Sequence, residues 1–399
     1  MHSNSLQQAA QDQAYPSVAA PARLQAIDQL RGLAMILMTL DHVRDFFAPT
    51  PFDPLDWQAG SAAWFFTRWI THICAPGFVL LAGISAGLRS AKHSKRALST
   101  YLFTRGLLLI ALELSWVSFS WQFGFSTLIL QVIWAIGVAM CALAWLLHLP
   151  RSLQIIIAAL CLLGHNWLDQ FHGLKLGWWF QALHEGGYIQ LTGDLGLVFV
   201  YPLLPWIGLM LFGYLLAPIW QSPAVKRQQF CWGLSLALLL GFVVLRLSAS
   251  YGDPQPWSGR HPDYTVMAEL MNFLKLQKYP PSLLYLLITL SINFALLGLF
   301  ERLTQTGWHS AVLQLFGQHA QFYYLLHVAS LHLAGNLFML LNYGSVVNFF
   351  NNRNPPANYQ ASLLTCYIAW GLSLLVFYWL LRRWASLLAK RKPVSRASC

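Results

Sequence analysis

Charge is what this sequence has least of. Of its 399 residues only 10% are Asp, Glu, Lys or Arg, and the acidic ones number 14, where an ordinary soluble domain carries about 25% charged residues. That scarcity excludes a soluble enzyme and a disordered chain. Cysteine is also sparse. None of the six shows CxxC spacing, and five (Cys74, Cys141, Cys161, Cys231, Cys366) fall in apolar windows, so a secreted disulfide scaffold is excluded and no disulfide is expected. There is no Walker loop and no GxGxxG after a strand, hence no standard nucleotide fold. There is no HExxH and no tight His/Cys cluster, so the spacing predicts no metal site. The net charge of +11 comes without a nucleic-acid motif or an aromatic-basic platform, so nucleic acid is not an expected partner. Residues 1–22 lack Lys, Arg and an apolar run, which excludes a cleaved signal and predicts a flexible N-terminal tail.

What the chain has in abundance is apolar length. Hydrophobic residues make up 57% and the mean hydropathy is +0.49. Windows such as Leu128–Leu147 hold no charge over about 20 residues, enough to cross ~30 Å of hydrocarbon. The predicted fold is all-α, a polytopic transmembrane bundle of about ten spans: 28–47, 63–88, 98–119, 125–147, 152–169, 194–218, 229–249, 281–301, 312–342 and 362–385. The ninth window is too long for one straight crossing and predicts a turn around Gly317 or a tilt. One membrane domain is expected over 23–388, followed by a basic tail over 389–399.

Basic residues set the orientation. One set of segments carries 15 Lys and Arg, from Arg23, Arg89, Lys92, Lys95 and Arg96 to the C-terminal run Arg382–Arg396; the alternate loops carry 7, along with ten of the 14 acidic residues. An even span number with both termini in the cytoplasm satisfies the positive-inside rule. Two long connections, 170–193 and 250–280, then lie outside, the first rich in Trp, Gly and His and the second in proline.

Ionisable residues inside a bilayer are costly and mark function by default. The first span carries Asp28, Met35 and His42 on one heptad line and Arg31, Met38 and Asp45 on the next. At 1.5 Å per residue, Asp28 and His42 lie about 21 Å apart, so one helix face can touch both ends of a ligand threaded across the membrane. The competing reading is a salt bridge at each end with methionines packed between. A neutral His42 can take a proton from an amine or hydroxyl, or attack an activated acyl group, with Asp45 at i+3 as its orienter. Arg68 and His72, at i and i+4 on the second span, lie at similar depth; Arg68 either stabilises an oxyanion or pairs with Asp45 to join the two helices. Pro76 predicts a kink and a freed carbonyl, and Gly77 and Gly83 a close helix approach. Glu113, buried in the third span, needs a partner or a proton. His327 is the deepest of His319, His327 and His332 and is read either as lining the cavity or as a packed, hydrogen-bonded core histidine.

Two stretches carry a family resemblance: Arg23-Leu24-Gln25-Ala26-Ile27-Asp28-Gln29-Leu30-Arg31-Gly32-Leu33-Ala34-Met35 with Asp41-His42-Val43-Arg44-Asp45, and Phe66-Thr67-Arg68-Trp69-Ile70-Thr71-His72 with Ala75-Pro76-Gly77-Phe78 and Leu81-Ala82-Gly83. They resemble bacterial membrane proteins related to heparan-α-glucosaminide N-acetyltransferase. Tyr279-Pro280-Pro281-Ser282 and Tyr323-Tyr324-Leu325-Leu326-His327 look like later motifs of the same proteins. The resemblance implies an acyltransferase of the bacterial inner membrane that takes acetyl from cytoplasmic acetyl-CoA and delivers it to an amine or hydroxyl outside, with a cell-envelope glycan as acceptor. It implies His42 as base or acyl carrier, with Asp45, Arg68 and His72 around it. The CoA phosphates would meet Arg31, Arg89, Lys92 and Arg105. A proton-coupled transporter or exporter, with Glu113 as proton site, is the rival that the buried charges equally allow. A homo-oligomer is left open.

Overall fold

The computed structural model describes residues 24–303, 307–347, 356 and 358–391. The N-terminal tail 1–22 and residues 392–399 of the basic tail lie outside the described residues, while 389–391 continue the last helix.

The chain is a helix bundle. Helix α1 spans Gln25–Phe47. Next, α2 (Ala62–Trp69) passes through a tight turn, Ile70–Ile73, into α3 (Cys74–Ser90). Helix α4 (Lys95–Leu112) continues through a widened turn at Glu113–Val117 into α5 (Ser118–Gln122). Then come α6 (Val132–Leu146), α7 (Arg151–Leu163), α8 (Leu203–Leu216), α9 (Ala224–Ser248), α10 (Val266–Leu274), α11 (Leu283–Arg302), α12 (Trp308–Gln318), α13 (Ala320–Tyr343) and α14 (Leu363–Arg391). Local chemistry sets several starts. Helices α7, α8 and α9 begin directly after Pro150, Pro202 and Pro223, where a missing N–H costs nothing. Ser94 and Ser282 cap α4 and α11 through side-chain oxygens.

Seven of the described helical segments are long and apolar enough to cross a membrane, or eight if the bent pair Arg151–Leu163 and His165–Phe171 is one crossing. Their outward faces are apolar: Val244 on α9 is 63% exposed and Leu375 on α14 is 67% exposed, as lipid contact requires. The chain is an integral membrane protein.

Two expectations change. The fold is not purely helical. Strands β1 (Thr127–Leu130), β2 (Gly187–Thr192) and β3 (Leu195–Phe199) form a small sheet in the order β1-β3-β2, with β1 parallel and β2 antiparallel to β3. Windows 125–147 and 194–218, expected as helical spans throughout, each therefore open as a strand and become helical at Val132 and Leu203. Leu130 and Phe199 bury apolar side chains inward, so their segments read as continuous apolar run although the backbone changes state. The long ninth window breaks at His319, between α12 and α13, beside Gly317 where a turn was expected.

Glycines set the closest helix crossings. A Cβ on Gly32 of α1 would lie 1.9 Å from the Leu313 carbonyl oxygen, and one on Gly317 of α12 would lie 1.9 Å from that of Asp28. The α3–α8 pair repeats the device with Gly83 against Met210 and Gly213 against Leu80. Without a solvent-driven hydrophobic effect between helices in lipid, such contact supplies the packing energy.

Candidate active site

Helices α1, α2 and α3, the α5–α6 connection and the loop before α11 surround a cavity of about 720 Å³. His42, Asp41, Asp45 and Arg68 line it, together with Met38, Trp121, Lys278 and Tyr279.

His42 stands at the cavity wall on the last two turns of α1. Its Nδ1 is 2.8 Å from Nε2 of His327 on α13. The far nitrogen of His327, Nδ1, is 2.7 Å from the Tyr324 carbonyl oxygen. A carbonyl only accepts, so in the neutral relay His327 Nδ1 carries the hydrogen and its Nε2 is an acceptor. His42 Nδ1 must then be the donor. This assigns the remaining lone pair to His42 Nε2, the ring nitrogen with no protein partner among the described residues. The tautomer follows from the hydrogen-bond network. Trp121 packs its edge against the His42 ring at 5.0 Å.

The charged residues form a separate chain of pairs. Arg68 Nη1 donates to Asp41 Oδ2. Arg44 Nη2 donates to Asp41 Oδ1 at 3.2 Å and to Asp45 Oδ1 at 2.7 Å. Asp45, expected to orient His42, is bonded to Arg44 instead, and His327 holds the imidazole. Arg68 joins α1 to α2 through Asp41 rather than Asp45. Tying Arg68 and Arg44 to the acids leaves Lys278 as the cavity cation without an ion-pair partner among the described residues. Its ammonium lies 5.1 Å from the centroid of the Tyr279 ring. Desolvation by the cavity works against ionisation of the Tyr279 phenol, whose side chain is nonetheless part-exposed, and Lys278 and Arg68 together hold it below its ordinary range.

His72 does not line the cavity. Its ring is 1% exposed and packs against Tyr285 at 5.4 Å. Its carbonyl is the group put to use. Pro76, four residues on, has no N–H for that oxygen, and the Tyr285 hydroxyl donates to it at 2.8 Å. The carbonyl freed by Pro76 is thus paired across to α11.

At the opposite end of α1, Arg31 bonds Asp28 at 3.1 Å and Ser85 at 3.3 Å. Arg105 donates to Gln321 at 2.6 Å, Arg89 lies 4.1 Å over the Tyr101 ring, and Lys92 is exposed. None of the four lines the His42 cavity. Between them and Met38 the α1 stripe is packed: Leu30, Met35, Phe316 and Tyr323 are buried, and Thr39 bonds the Tyr323 hydroxyl. Glu113 is fully buried and its Oε2 accepts from Trp134 N at 2.8 Å. It caps the first turn of α6, which lacks a side-chain cap of its own.

Sequence reasoning passed over Lys278 and the pairing of His327 with His42. Lys278 directly precedes the quoted Tyr279-Pro280-Pro281 motif, and that adjacency was the available signal. The His42–His327 contact joins residues 285 apart and leaves no local pattern.

Span-length apolar helices enclose a polar cavity whose imidazole is held by a second histidine, the class of a membrane protein with a buried polar site. The model of the heparan-alpha-glucosaminide N-acetyltransferase catalytic region matches residues 23–245, and the chain belongs to that family of membrane acetyltransferases. The match contains His42, Arg68 and Pro76 and ends before Lys278 and His327. Comparison with curated proteins gives no match.

Proposed function

We propose that the chain is a transmembrane acyltransferase that moves an acetyl group from cytoplasmic acetyl-CoA to an amine or hydroxyl acceptor, a cell-envelope glycan, on the far side of a bacterial inner membrane. The observation that carries this reading is the His327–His42 relay, which leaves a base on the cavity at His42 Nε2. As the acceptor attacks the thioester carbonyl, Nε2 takes its proton. The C–S bond breaks, and the departing thiolate receives the proton back from His42. The same lone pair serves if the acetyl group first rests on the imidazole. Lys278 supplies positive charge to the developing oxyanion. Arg68, Arg44, Asp41 and Asp45 hold the cavity wall in shape, and His72 supports it from behind.

Counting the bent pair, the more charged α1 and the shorter α6 as crossings gives ten spans. Both termini are then cytoplasmic, and the cavity opens on the face with fewer basic residues. Arg31, Arg89, Lys92 and Arg105 take the phosphates of the donor at the cytoplasmic face. Because the stripe between Arg31 and Met38 is packed, delivery of the thioester involves a parting of α1 from α12 and α13.

The test is acetyl transfer in proteoliposomes with acetyl-CoA on one side and acceptor on the other. His42→Ala is expected to lose at least about 100-fold, the range for a positioned base. Acetyl-CoA at 100 times its Kd should stabilise the purified protein by about 2.7 kcal/mol. A His42→Ala rate equal to wild type removes His42 from the chemistry, and a carrier without covalent chemistry would ignore acetyl-CoA.

A further inference from the structure

Away from the His42 cavity, three side chains from the connection that follows α7 converge. Asp169 lies in the tight turn His165–Phe171, His172 follows that turn, and His184 lies in the wide turn Gln181–Glu185. Asp169 Oδ1 is 2.8 Å from His184 Nε2 and 3.7 Å from His172 Nε2, and the three ligand atoms lie within 4.8 Å of one another. We propose that Asp169, His172 and His184 bind a divalent transition metal, zinc by ligand chemistry, which pins this connection to the loop that carries Lys278 and Tyr279.

Four observations support the site. A tetrahedral ion with bonds near 2.0–2.1 Å wants its donors about 3.3 Å apart; the 3.7 Å Asp169–His172 separation closes slightly and the 2.8 Å Asp169–His184 hydrogen bond opens by a similar amount when an ion enters. His172 Nε2 is buried with no hydrogen-bond partner among the described residues, and it already faces Asp169 Oδ1. Asp169 is already oriented from behind: its Oδ2 accepts from Asn166 Nδ2 at 2.8 Å, the outer-shell contact that metal-binding carboxylates use. His184 is fully buried while the His172 side chain is 27% exposed, giving a rigid ligand, an access side and a fourth position for water. Two imidazoles with one carboxylate favour zinc and its first-row neighbours over calcium or magnesium.

Residues of the turn that carries Asp169 reach the cavity loop. Asn166 Oδ1 accepts from Leu283 N at 2.8 Å, and His165 Nε2 lies 2.9 Å from the Pro281 carbonyl oxygen. An ion at Asp169 would therefore brace the segment that presents Lys278, without touching the reacting groups.

The experiment uses untagged full-length protein in detergent, stripped with a chelator and titrated with zinc chloride against a chromophoric competitor, with thermal unfolding followed in parallel. One zinc per chain and a raised midpoint are expected. His172→Ala, at the least buried ligand, should weaken zinc binding by at least about 100-fold and abolish the shift, since even outer-shell losses cost 10–100-fold. His172→Cys should restore binding, and with cobalt(II) add a thiolate charge-transfer band. Asp169→Asn tests the carboxylate. No stoichiometric zinc in the wild type overturns the site, as does equal binding by wild type and a folded His172→Ala protein.

Discussion

Replacing His327 with Phe is the sharpest test of the imidazole relay. Phenylalanine keeps a flat ring in the buried position between Tyr323 and His42 but offers no acceptor. The His42 Nδ1–H loses the partner it meets at 2.8 Å, and the ring is free to carry its hydrogen on Nε2 instead. Leaving a buried donor unpaired costs about 1–3 kcal/mol. If that cost falls on the working tautomer in the transition state, the rate drops roughly 5- to 150-fold, at 1.36 kcal/mol per tenfold. The expected order of acetyl transfer in proteoliposomes is wild type, then His327→Gln, which retains an acceptor oxygen, then His327→Phe, with His42→Ala lowest. The double variant His42→Ala/His327→Phe should be no slower than His42→Ala alone, because His327 acts only through His42. A wild-type rate in a folded His327→Phe protein refutes the relay. A double variant slower than His42→Ala would mean that His327 acts on its own account.

Other perturbations read the surroundings. Arg68→Met strips Asp41 of one of its two cations and should destabilise the protein by about 2–3 kcal/mol in chemical unfolding, less than the 3–5 of an isolated buried pair because Arg44 stays at 3.2 Å; adding Asp41→Asn should recover part of the loss. Lys278→Met should leave the unfolding midpoint unchanged and lower acetyl transfer at least about tenfold, the scale of a lost oxyanion partner being larger still, with Lys278→Arg intermediate. Glu113→Gln keeps a carbonyl oxygen for Trp134 N and should leave transfer within about twofold of wild type, as expected of a helix cap; abolished function in a folded Glu113→Gln protein would favour a proton-coupled carrier.

The helix-1 stripe was legible because helical periodicity and the cost of charge in lipid are both local properties. They put His42, Asp45 and Met38 on one side of α1, and all three line the cavity. Partner choice was not local. Asp45 looked like the orienter by its i+3 spacing, yet Arg44, its neighbour in sequence, captures it, and the imidazole finds His327 across the bundle. His72 looked reactive by depth alone, but Pro76 makes its backbone the useful group. The strands were hidden because a short apolar run reads alike as buried strand or buried helix. Asp169 and His172 share i, i+3 spacing, but His184 arrives twelve residues later from a different turn, so no compact motif announces the trio. The break between α12 and α13 was expected near Gly317 and falls at His319.

The packed stretch of α1 between Met38 and Arg31 carries one more implication. A catalyst that works across a bilayer must not become a hole in it. A standing channel wide enough for a thioester arm would also conduct water and protons and drain the gradient that the membrane maintains. With Leu30, Met35, Phe316 and Tyr323 buried on one side of His42, the proposed transfer would have its pace set by how seldom and how briefly that plug yields.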